Sequence, residues 1–171
     1  MRTRSLGFLI ALLVFGLDQL MKWIVTGPLH VQDLEHYYLL PFFQFTYTQN
    51  IGISLGLLNA TTETGRWMLV ALTSAIAVGV AFWLGREKNR VDQVALGMVL
   101  GGALGNILDR TLHSYVVDFL DLHFGNFRPF LVFNVGDAAI SIGVVILLLR
   151  AFLARKDHQE GPEPKETIEH A

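Results

Sequence analysis

Four long apolar stretches constrain this chain more than any other feature of its sequence. Each runs for about 15 to 20 residues, close to the roughly 20 that an α-helix needs to cross the hydrocarbon core of a bilayer. They are residues 6–25, 67–84, 94–108 and 138–153. Only 16% of the chain is charged, whereas soluble domains carry about 25%. The sequence therefore predicts an all-α membrane protein with four transmembrane helices, the third of which extends through Asp109 and Arg110.

The first apolar stretch follows Arg2 and Arg4, an arrangement that signal peptides share. No small-x-small cleavage pattern follows it, and Asp18, Gln19 and Lys22 interrupt its second half. We therefore expect a retained helix and not a cleaved leader.

The distribution of Lys and Arg predicts the orientation. These residues lie before the first stretch, between the second and third, and after the fourth, whereas segment 26–65 has none and segment 111–136 has only Arg128. Because positively charged loops stay in the cytoplasm, we expect both termini inside and the two long loops outside. Residues 1–155 then form the membrane domain, and the polar residues 156–171 form a disordered cytoplasmic tail.

The first long loop contains "FFQFTYTQN" at 42–50. Its alternation of apolar and polar residues, rich in aromatics and threonine, predicts a short strand outside the membrane. The aromatic residues Phe42, Phe43, Phe45 and Tyr47 also suit an interfacial aromatic belt.

Three glycines of the third stretch, Gly97, Gly101 and Gly105, are spaced four residues apart. This small-xxx-small pattern lets a neighbouring helix backbone approach closely. A phosphate loop is not indicated, because no strand precedes the glycines and no lysine follows them.

The expected topology brings the polar residues of three spans to one depth, towards the outer face. They are Asp18, Gln19, Lys22, Asn106, Asp109, Arg110, Asn134 and Asp137. A charge at the bilayer centre costs at least about 2.5–3.5 kcal/mol, so several at one level predict a functional site. Structural ion pairs, such as Asp18 with Lys22 at i,i+4, are the simplest alternative.

A transporter or proton channel and a structural membrane scaffold are the rival functions, since charges within the membrane also mark ion relays. A transporter usually needs a polar path across both leaflets, but the inner halves of these four stretches are apolar. The asymmetry favours a site that opens to the outer leaflet only. A scaffold would lose stability but no activity on replacement of Asp118 by Asn.

Two acids with apolar neighbours make a candidate carboxylate dyad. Asp118 lies in "YVVDF" and Asp137 in "FNVGDAAI". Two adjacent carboxylates cannot both ionise easily, so one keeps its proton. One can then activate water as a base while the other hydrogen-bonds a scissile carbonyl, which is aspartic-protease chemistry. We expect Arg110 to pair with a carboxylate or with helix C-terminal carbonyls, and Asp121 to be solvated.

Four sequence blocks together resemble bacterial lipoprotein signal peptidase, also called signal peptidase II. They are "DQLMK" at 18–22, "NIGISLG" at 50–56, "GGALGNILDR…VVDF" at 101–119 and "FNVGDAAI" at 133–140. The resemblance covers the chain apart from its tail and implies that Asp118 and Asp137 are catalytic. It implies supporting roles for Asp18, Lys22, Asn50, Gly52, Asn106, Asp109, Arg110 and Asn134.

The resemblance also implies a reaction and a setting. The family removes the signal peptide of a prolipoprotein by cleaving before a cysteine that carries a diacylglyceryl group, and globomycin blocks it. It works in the bacterial inner membrane, with the active site facing the outer leaflet, an outer β-cradle and an amphipathic periplasmic helix. The partners would be the lipidated prolipoprotein and membrane lipid. No cofactor or metal is expected, and the net charge of −2 gives no nucleic-acid footprint.

The chain departs from the family's common pattern at two places. Ile53, Ser54 and Leu55 stand where Ala-Ala-Phe is usual, and Gly136 replaces an alanine. These changes leave both acids in place and bear on how lipid or inhibitor packs beside them.

Ser54 lies in "GISLG", which matches the G-x-S-x-G pattern of serine hydrolases. That pattern works on a strand–turn–helix with a histidine base, which cannot be placed here; a Ser54–Lys22 pair is the other serine hypothesis. We expect Ser54→Ala to leave cleavage of a lipidated prolipoprotein largely intact. Full loss of cleavage in that variant would contradict the dyad.

The histidines offer no metal-ligand spacing such as HExxH. His30 and His36 share a loop with Asp33 and Glu35, and we expect these four residues to be solvated.

Overall fold

Four long helices account for the four apolar stretches. The computed structural model describes residues 5–34, 36–52, 62–125 and 127–159. The elements in order are α1 (Ser5–Thr26), a 3-10 turn (Val31–Asp33), β1 (Tyr37–Leu40), β2 (Phe43–Asn50), α2 (Glu63–Arg86), α3 (Arg90–His113), β3 (Val116–Leu122) and α4 (Val135–Gln159). All four helices are long and apolar enough to cross a membrane, and α3 continues past Arg110 as predicted. The chain is therefore a multi-pass membrane protein.

The ends of the helices follow from local hydrogen bonds. The Thr62 side chain accepts from the backbone N–H of Gly65 at the start of α2, and Asn89 accepts from Val91 at the start of α3. At the start of α4, the Asn134 side chain accepts from the N–H of Asp137 at 2.8 Å. Side-chain acceptors of this kind satisfy the free N–H groups of a first helical turn. The cap on α4 also fixes the position of Asp137.

Helix α3 is the centre of the bundle and packs against α1, α2 and α4. Half of its most apolar window is buried, compared with 11% for α4. The predicted small-residue packing is confirmed: a Cβ at Gly97 or Gly101 would collide with the α1 carbonyl oxygen of Gly7 or Ala11. A Cβ at Gly105 would collide with the Asp18 carboxylate. These glycines let α1 and α3 meet backbone to backbone.

We expect Gly101→Val to lower the free energy of unfolding by about 1–3 kcal/mol, because α1 must move away to admit the side chain. Gly79→Ala is the matched control, since a Cβ at Gly79 meets no atom within 4 Å and Ala is the better helix former. Thermal unfolding in detergent measures both variants. Equal transition temperatures would contradict the close approach of α1 and α3.

The three strands form one antiparallel sheet in the order β1-β2-β3. The strand predicted at 42–50 is confirmed as β2, which pairs Gln44 with Asp121 and Asn50 with Val116 of β3. Strands β1 and β3 were not predicted. The sheet lies at the end of the bundle where α1 and α3 finish and α4 begins, and we call this end the sheet end. Outside the spans and the sheet, the described residues contain one further helical segment, the 3-10 turn; the amphipathic helix stays a prediction.

A small apolar core joins the sheet to the bundle. It contains Val25, Val31, Phe45, Val117 and Phe119. The expectation of an aromatic belt is therefore wrong for Phe45, which is 7% exposed, although Phe42 is 44% exposed. Phe43 and Tyr47 are half-buried against the same core. Burial of these rings anchors the sheet over the ends of α1 and α4.

The predicted boundary between membrane domain and tail falls inside α4, which continues to Gln159. Residues 160–171 lie outside the described part of the chain. The same holds for residues 53–61, and with them for Ser54 and the departures from the family pattern at Ile53 and Leu55.

Candidate active site

The polar residues of α1, α3 and α4 meet at the sheet end, as their expected common depth predicted. Strands β2 and β3 bring two more polar side chains, Asn50 and Asp118, to the same place. Most members of this set are buried. Their exposed fractions are 0% for Asp18, 4% for Lys22, 8% for Asn106, 3% for Asp109, 2% for Asp118 and 0% for Asn134.

Asp118 lies in β3 and accepts two hydrogen bonds. Its Oδ1 accepts from Asn134 Nδ2 at 2.6 Å, and its Oδ2 accepts from Asn50 Nδ2 at 2.9 Å. Burial and, second to it, the nearby Asp137 carboxylate raise the pKa of Asp118 to about 6, although the two asparagine hydrogen bonds oppose the shift. The carboxyl can therefore gain or lose a proton near neutral pH.

Asp137 lies in the first turn of α4 and also accepts two hydrogen bonds. Its Oδ1 accepts from Asn106 Nδ2 at 2.7 Å, and its Oδ2 accepts from the backbone N–H of Asn134 at 3.3 Å. It is less buried than Asp118 and lines a pocket beside the start of α4. This carboxyl therefore faces open space from which a substrate can reach it.

Asn134 joins the two acids. Its side chain binds Asp118, its backbone N–H binds Asp137, and its Nδ2 also donates to Asn106 Oδ1 at 3.1 Å. In the described part of the chain, every hydrogen bond to either carboxylate comes from a neutral asparagine and no cation forms an ion pair with them. A pair of acids held together without a neutralising cation favours one shared proton.

Gly52 fixes the orientation of Asn50. The Gly52 N–H donates to Asn50 Oδ1 at 3.2 Å, which leaves Nδ2 to face Asp118. Because the two ends of an amide differ only in hydrogen bonding, this contact assigns the donor end to the acid. The supporting roles expected of Asn50 and Gly52 stay predictions.

Next to this pair of acids, Lys22 lies between two other carboxylates, those of Asp18 and Asp109. Its Nζ is 2.7 Å from Asp18 Oδ2 and 2.9 Å from Asp109 Oδ2. Gln19 Nε2 donates to the same two carboxylates, at 3.2 and 3.0 Å. We call these four residues the Lys22 network. The ion pair of Asp18 with Lys22 was the simpler alternative for these residues, and it is present.

The Lys22 network also holds the backbone beside each acid. Asp109 Oδ2 accepts from the N–H of Val117 at 3.1 Å, and Asp18 Oδ1 accepts from the N–H of Gly136 at 2.9 Å. Val117 precedes Asp118, and Gly136 precedes Asp137. Each network carboxylate therefore binds the backbone of the residue that precedes one of the candidate catalytic acids. Sequence reasoning did not find these backbone contacts, since a backbone N–H leaves no mark in a sequence.

Comparison with known proteins agrees with this architecture. The family described as Signal peptidase (SPase) II matches residues 10–153 of the chain. The chain belongs to the signal peptidase II family. The lipoprotein signal peptidase of Sphingopyxis alaskensis is 52% identical over 147 residues, which cover 86% of this chain and 85% of that protein. The lipoprotein signal peptidase of Rhizorhabdus wittichii is 52% identical over 153 residues, covering 90% and 89%.

A solved structure of a bacterial membrane enzyme, obtained by the in meso method at 2.3 Å resolution, has the same fold. It superposes with a TM-score of 0.76 at 28% identity, covering 93% of this chain and 94% of that one. A signal peptidase II is a peptidase that acts on lipoproteins, so the polar centre at the sheet end has to be read as a candidate peptidase site.

Arg110 lacks the ion-pair partner expected for it in this signal peptidase II, as far as the described residues show. Among the described residues its guanidinium forms no hydrogen bond or ion pair, and its Nε is buried without a partner. The carboxylates of Asp137, Asp118 and Asp109 act on it only at longer range. The expected pairing with a carboxylate or with helix C-terminal carbonyls is therefore not found among the described residues. Within this part of the chain its donors have no partner beside the site.

Asp121 is not solvated, contrary to expectation. It is 1% exposed, and its Oδ2 accepts from Gln44 Nε2 at 2.8 Å and Thr46 Oγ1 at 2.9 Å. Arg128 completes the cluster at 3.3 Å. The cause is cross-strand pairing, since Gln44 lies directly opposite Asp121. This carboxylate belongs to the sheet and contacts neither candidate catalytic acid.

The two histidines between α1 and β1 have separate surroundings. His30 and Asp33 are exposed and 3.7 Å apart, whereas His36 Nδ1 is hydrogen-bonded to Thr46 Oγ1 at 3.0 Å. The expectation of solvation is thus wrong for His36, which joins the polar cluster of Asp121. Glu35 lies outside the described residues.

Proposed function

We propose that this chain is an intramembrane aspartic endopeptidase, which removes the signal peptide of diacylglyceryl-modified prolipoproteins by cleaving before the lipidated cysteine. The observation that carries the proposal is the bridging of Asp118 and Asp137 by Asn134, in a site where, within the described part of the chain, only neutral groups donate hydrogen bonds to the two acids. Membership of a family of lipoprotein signal peptidases supplies the substrate class.

In this mechanism the dyad holds one proton between two carboxyls. The ionised carboxyl takes a proton from water as the water oxygen attacks the scissile carbonyl carbon, and the protonated carboxyl hydrogen-bonds the carbonyl oxygen. Collapse of the tetrahedral intermediate breaks the C–N bond as the nitrogen accepts the proton that the carboxyl took from water, which returns the dyad to its singly protonated state. The free donors of Arg110 suit a carbonyl of the bound substrate, where a charged donor binds about twice as strongly as a neutral one.

The orientation we propose places the sheet end at the outer leaflet and both termini in the cytoplasm. Arg86, Lys88, Arg90 and Arg150 all lie at the opposite end of the bundle, as the positive-inside rule requires. A lipid-anchored cysteine stays in the outer leaflet of the inner membrane, so its scissile bond lies at the depth of the dyad without extraction of the lipid. Globomycin-type inhibitors would act at the same acids.

The raised pKa of Asp118 predicts an alkaline limb in the pH profile. We expect log kcat/KM to fall as pH rises above about 6, because the proton on Asp118 beside the Asp137 carboxylate is the one that the dyad shares, and its loss leaves no acid for the carbonyl oxygen; the apparent value belongs to the pair. Asn50→Ala should move this limb to higher pH, since the Asn50 hydrogen bond lowers the pKa of Asp118. A limb that stays in place in that variant contradicts the assignment.

The raised pKa of Asp118 also makes the stability of the folded state depend on pH. The folded state holds the Asp118 proton more tightly than the unfolded state, whose ordinary pKa is 3.8. The contribution of this group to stability is therefore present below that value and is lost as pH rises towards about 6.

The test of the proposed function is cleavage by the purified full chain in detergent. The substrate is a prolipoprotein carrying a diacylglyceryl cysteine, and the same prolipoprotein without lipid is the control. Mass spectrometry should find a released signal peptide that ends one residue before the cysteine, from the modified substrate alone. Absence of cleavage, or cleavage at another bond, would overturn the proposal.

A further inference from the structure

A pocket of about 380 Å³ opens beside Asp137, between the β3–α4 loop and the first two turns of α4. Its lining residues are Phe130, Leu131, Phe133, Asp137, Ala138, Ser141 and Ile142. The volume lies within the roughly 300–1,000 Å³ range of ligand pockets. Apart from the Asp137 carboxyl and the Ser141 hydroxyl, the walls are hydrocarbon. A ligand here needs an apolar body and a reactive group that reaches the acid.

We call the loop segment 130–133, which lines one side of this pocket, the pocket roof. Hydrogen bonds and ring packing fix its position. The Phe133 backbone is bonded to β3, with its carbonyl accepting from Leu120 N–H at 2.7 Å and its N–H donating to Leu120 O at 3.1 Å. Phe130 packs edge-to-face on Phe133 with ring centroids 6.5 Å apart. Arg128 of the same loop is bound to the buried Asp121. The buried Asp121 cluster, which the reaction does not use, therefore acts as an anchor for the pocket roof.

The mouth of the pocket is continuous with the lipid-facing side of α4. Ile142 at its edge is 51% exposed, and Val145, one turn beyond Ser141, is 53% exposed. Only 11% of the apolar window of α4 is buried in the protein, so bilayer surrounds most of this helix. A hydrocarbon chain can pass from the membrane into the pocket without crossing water.

We propose that this pocket binds a fatty acyl chain of the lipid-modified cysteine, which positions the scissile bond at the dyad; this rests on the proposed function. A hydrocarbon chain needs no hydrogen-bond partner. A peptide segment would bring N–H and C=O groups that must be satisfied away from water, and the lining offers only two polar side chains. The acyl chain is therefore the occupant that these walls suit.

A second apolar groove provides a competing location. It has a volume of about 540 Å³, lies between α1 and α3, and is lined by Phe8, Phe15, Leu104 and Thr111 among others. No acid lines it, and a chain bound there would have no direct relation to Asp137. An experiment that locates the bound acyl chain can therefore distinguish the pocket beside Asp137 from the groove between α1 and α3.

Kinetics with two substrates test the proposal. Ser141→Phe narrows the pocket from an exposed position, and Val145→Phe is the matched control on the same helix outside the pocket. Each enzyme is assayed with the same prolipoprotein carrying a dipalmitoyl or a dibutanoyl glyceryl group. We expect Ser141→Phe to lower kcat/KM about tenfold for the dipalmitoyl substrate and less than about threefold for the dibutanoyl one, the scale on which apolar pockets discriminate. Val145→Phe should change neither.

An equal loss for both substrates would place part of the peptide in the pocket, and no loss for either would leave the chain elsewhere; each result overturns the proposal. Failure of the wild type to cleave the dipalmitoyl substrate would instead contradict the proposed function. Ile142→Trp is a second narrowing variant should Ser141→Phe unfold.

Photolabelling of the wild type by a diazirine-bearing acyl chain needs no variant. Labels should fall within 130–142, and labels in the α1–α3 groove would overturn the proposal.

Discussion

Asp118→Asn and Asp137→Asn should each lower kcat by at least about 10³-fold, within the range that positioned acids and bases contribute. An asparagine can neither take a proton from water nor share one with its neighbour. Its NH₂ group would also face a donor, since both oxygens of each aspartate accept hydrogen bonds. The measurement is single-turnover cleavage of the diacylglyceryl-modified prolipoprotein by purified variants.

The control for this experiment is Asp92→Asn at the opposite end of the bundle. Asp92 is a half-buried acid that binds Arg150 Nε at 2.6 Å, so the change again replaces a paired carboxylate by an amide. We expect its rate to stay within about twofold, and we expect all three variants to unfold cooperatively on heating. A near-normal rate for either dyad variant would show that the replaced aspartate is not catalytic. The alternative that the polar centre relays ions would then be tested by ion-flux assays.

The helices could be predicted because hydropathy and length act locally. A run of apolar residues of the right length dictates a span whatever it packs against, so all four helices and the convergence of their polar residues followed from the sequence. Strand β2 could be predicted from its alternation. Strand β3 could not, since "VVDFLDL" is buried on both faces and its two aspartates, three residues apart, break the alternation that marks a half-buried strand.

The partners of the charged groups could not be predicted in the same way. Asp121 accepts from Gln44 across the sheet, 77 positions away, and among the described residues it is asparagines that donate to the two candidate catalytic acids, while Arg110 donates to neither. Which donor reaches which carboxylate depends on the packing of α3 and α4 around glycines, to within a fraction of an ångström. The positions of the two candidate catalytic acids were expected from the family resemblance and their depth, whereas their bridge through Asn134 required the structure.

Lys22→Met should lower the free energy of unfolding by about 3–5 kcal/mol. The substitution keeps an unbranched side chain of similar length and removes the ammonium. Asp18 and Asp109 are then left as two buried carboxylates that have lost their shared counter-ion. Lys88→Met is the matched control at an exposed lysine, where we expect a change within about 0.5 kcal/mol. Chemical unfolding in detergent measures both.

A triple variant separates charge from packing. Asp18→Asn, Lys22→Met and Asp109→Asn together leave no buried charge in the Lys22 network, and each asparagine oxygen can still accept from the backbone N–H of Gly136 or Val117. Replacing a whole buried ion network is often neutral, whereas removing one partner is not. The triple variant should therefore be more stable than Lys22→Met alone. If it is equally unstable or less stable, the lysine stabilises the bundle through its stem, and the two acids owe their positions to helix packing and not to the ion pairs beneath them.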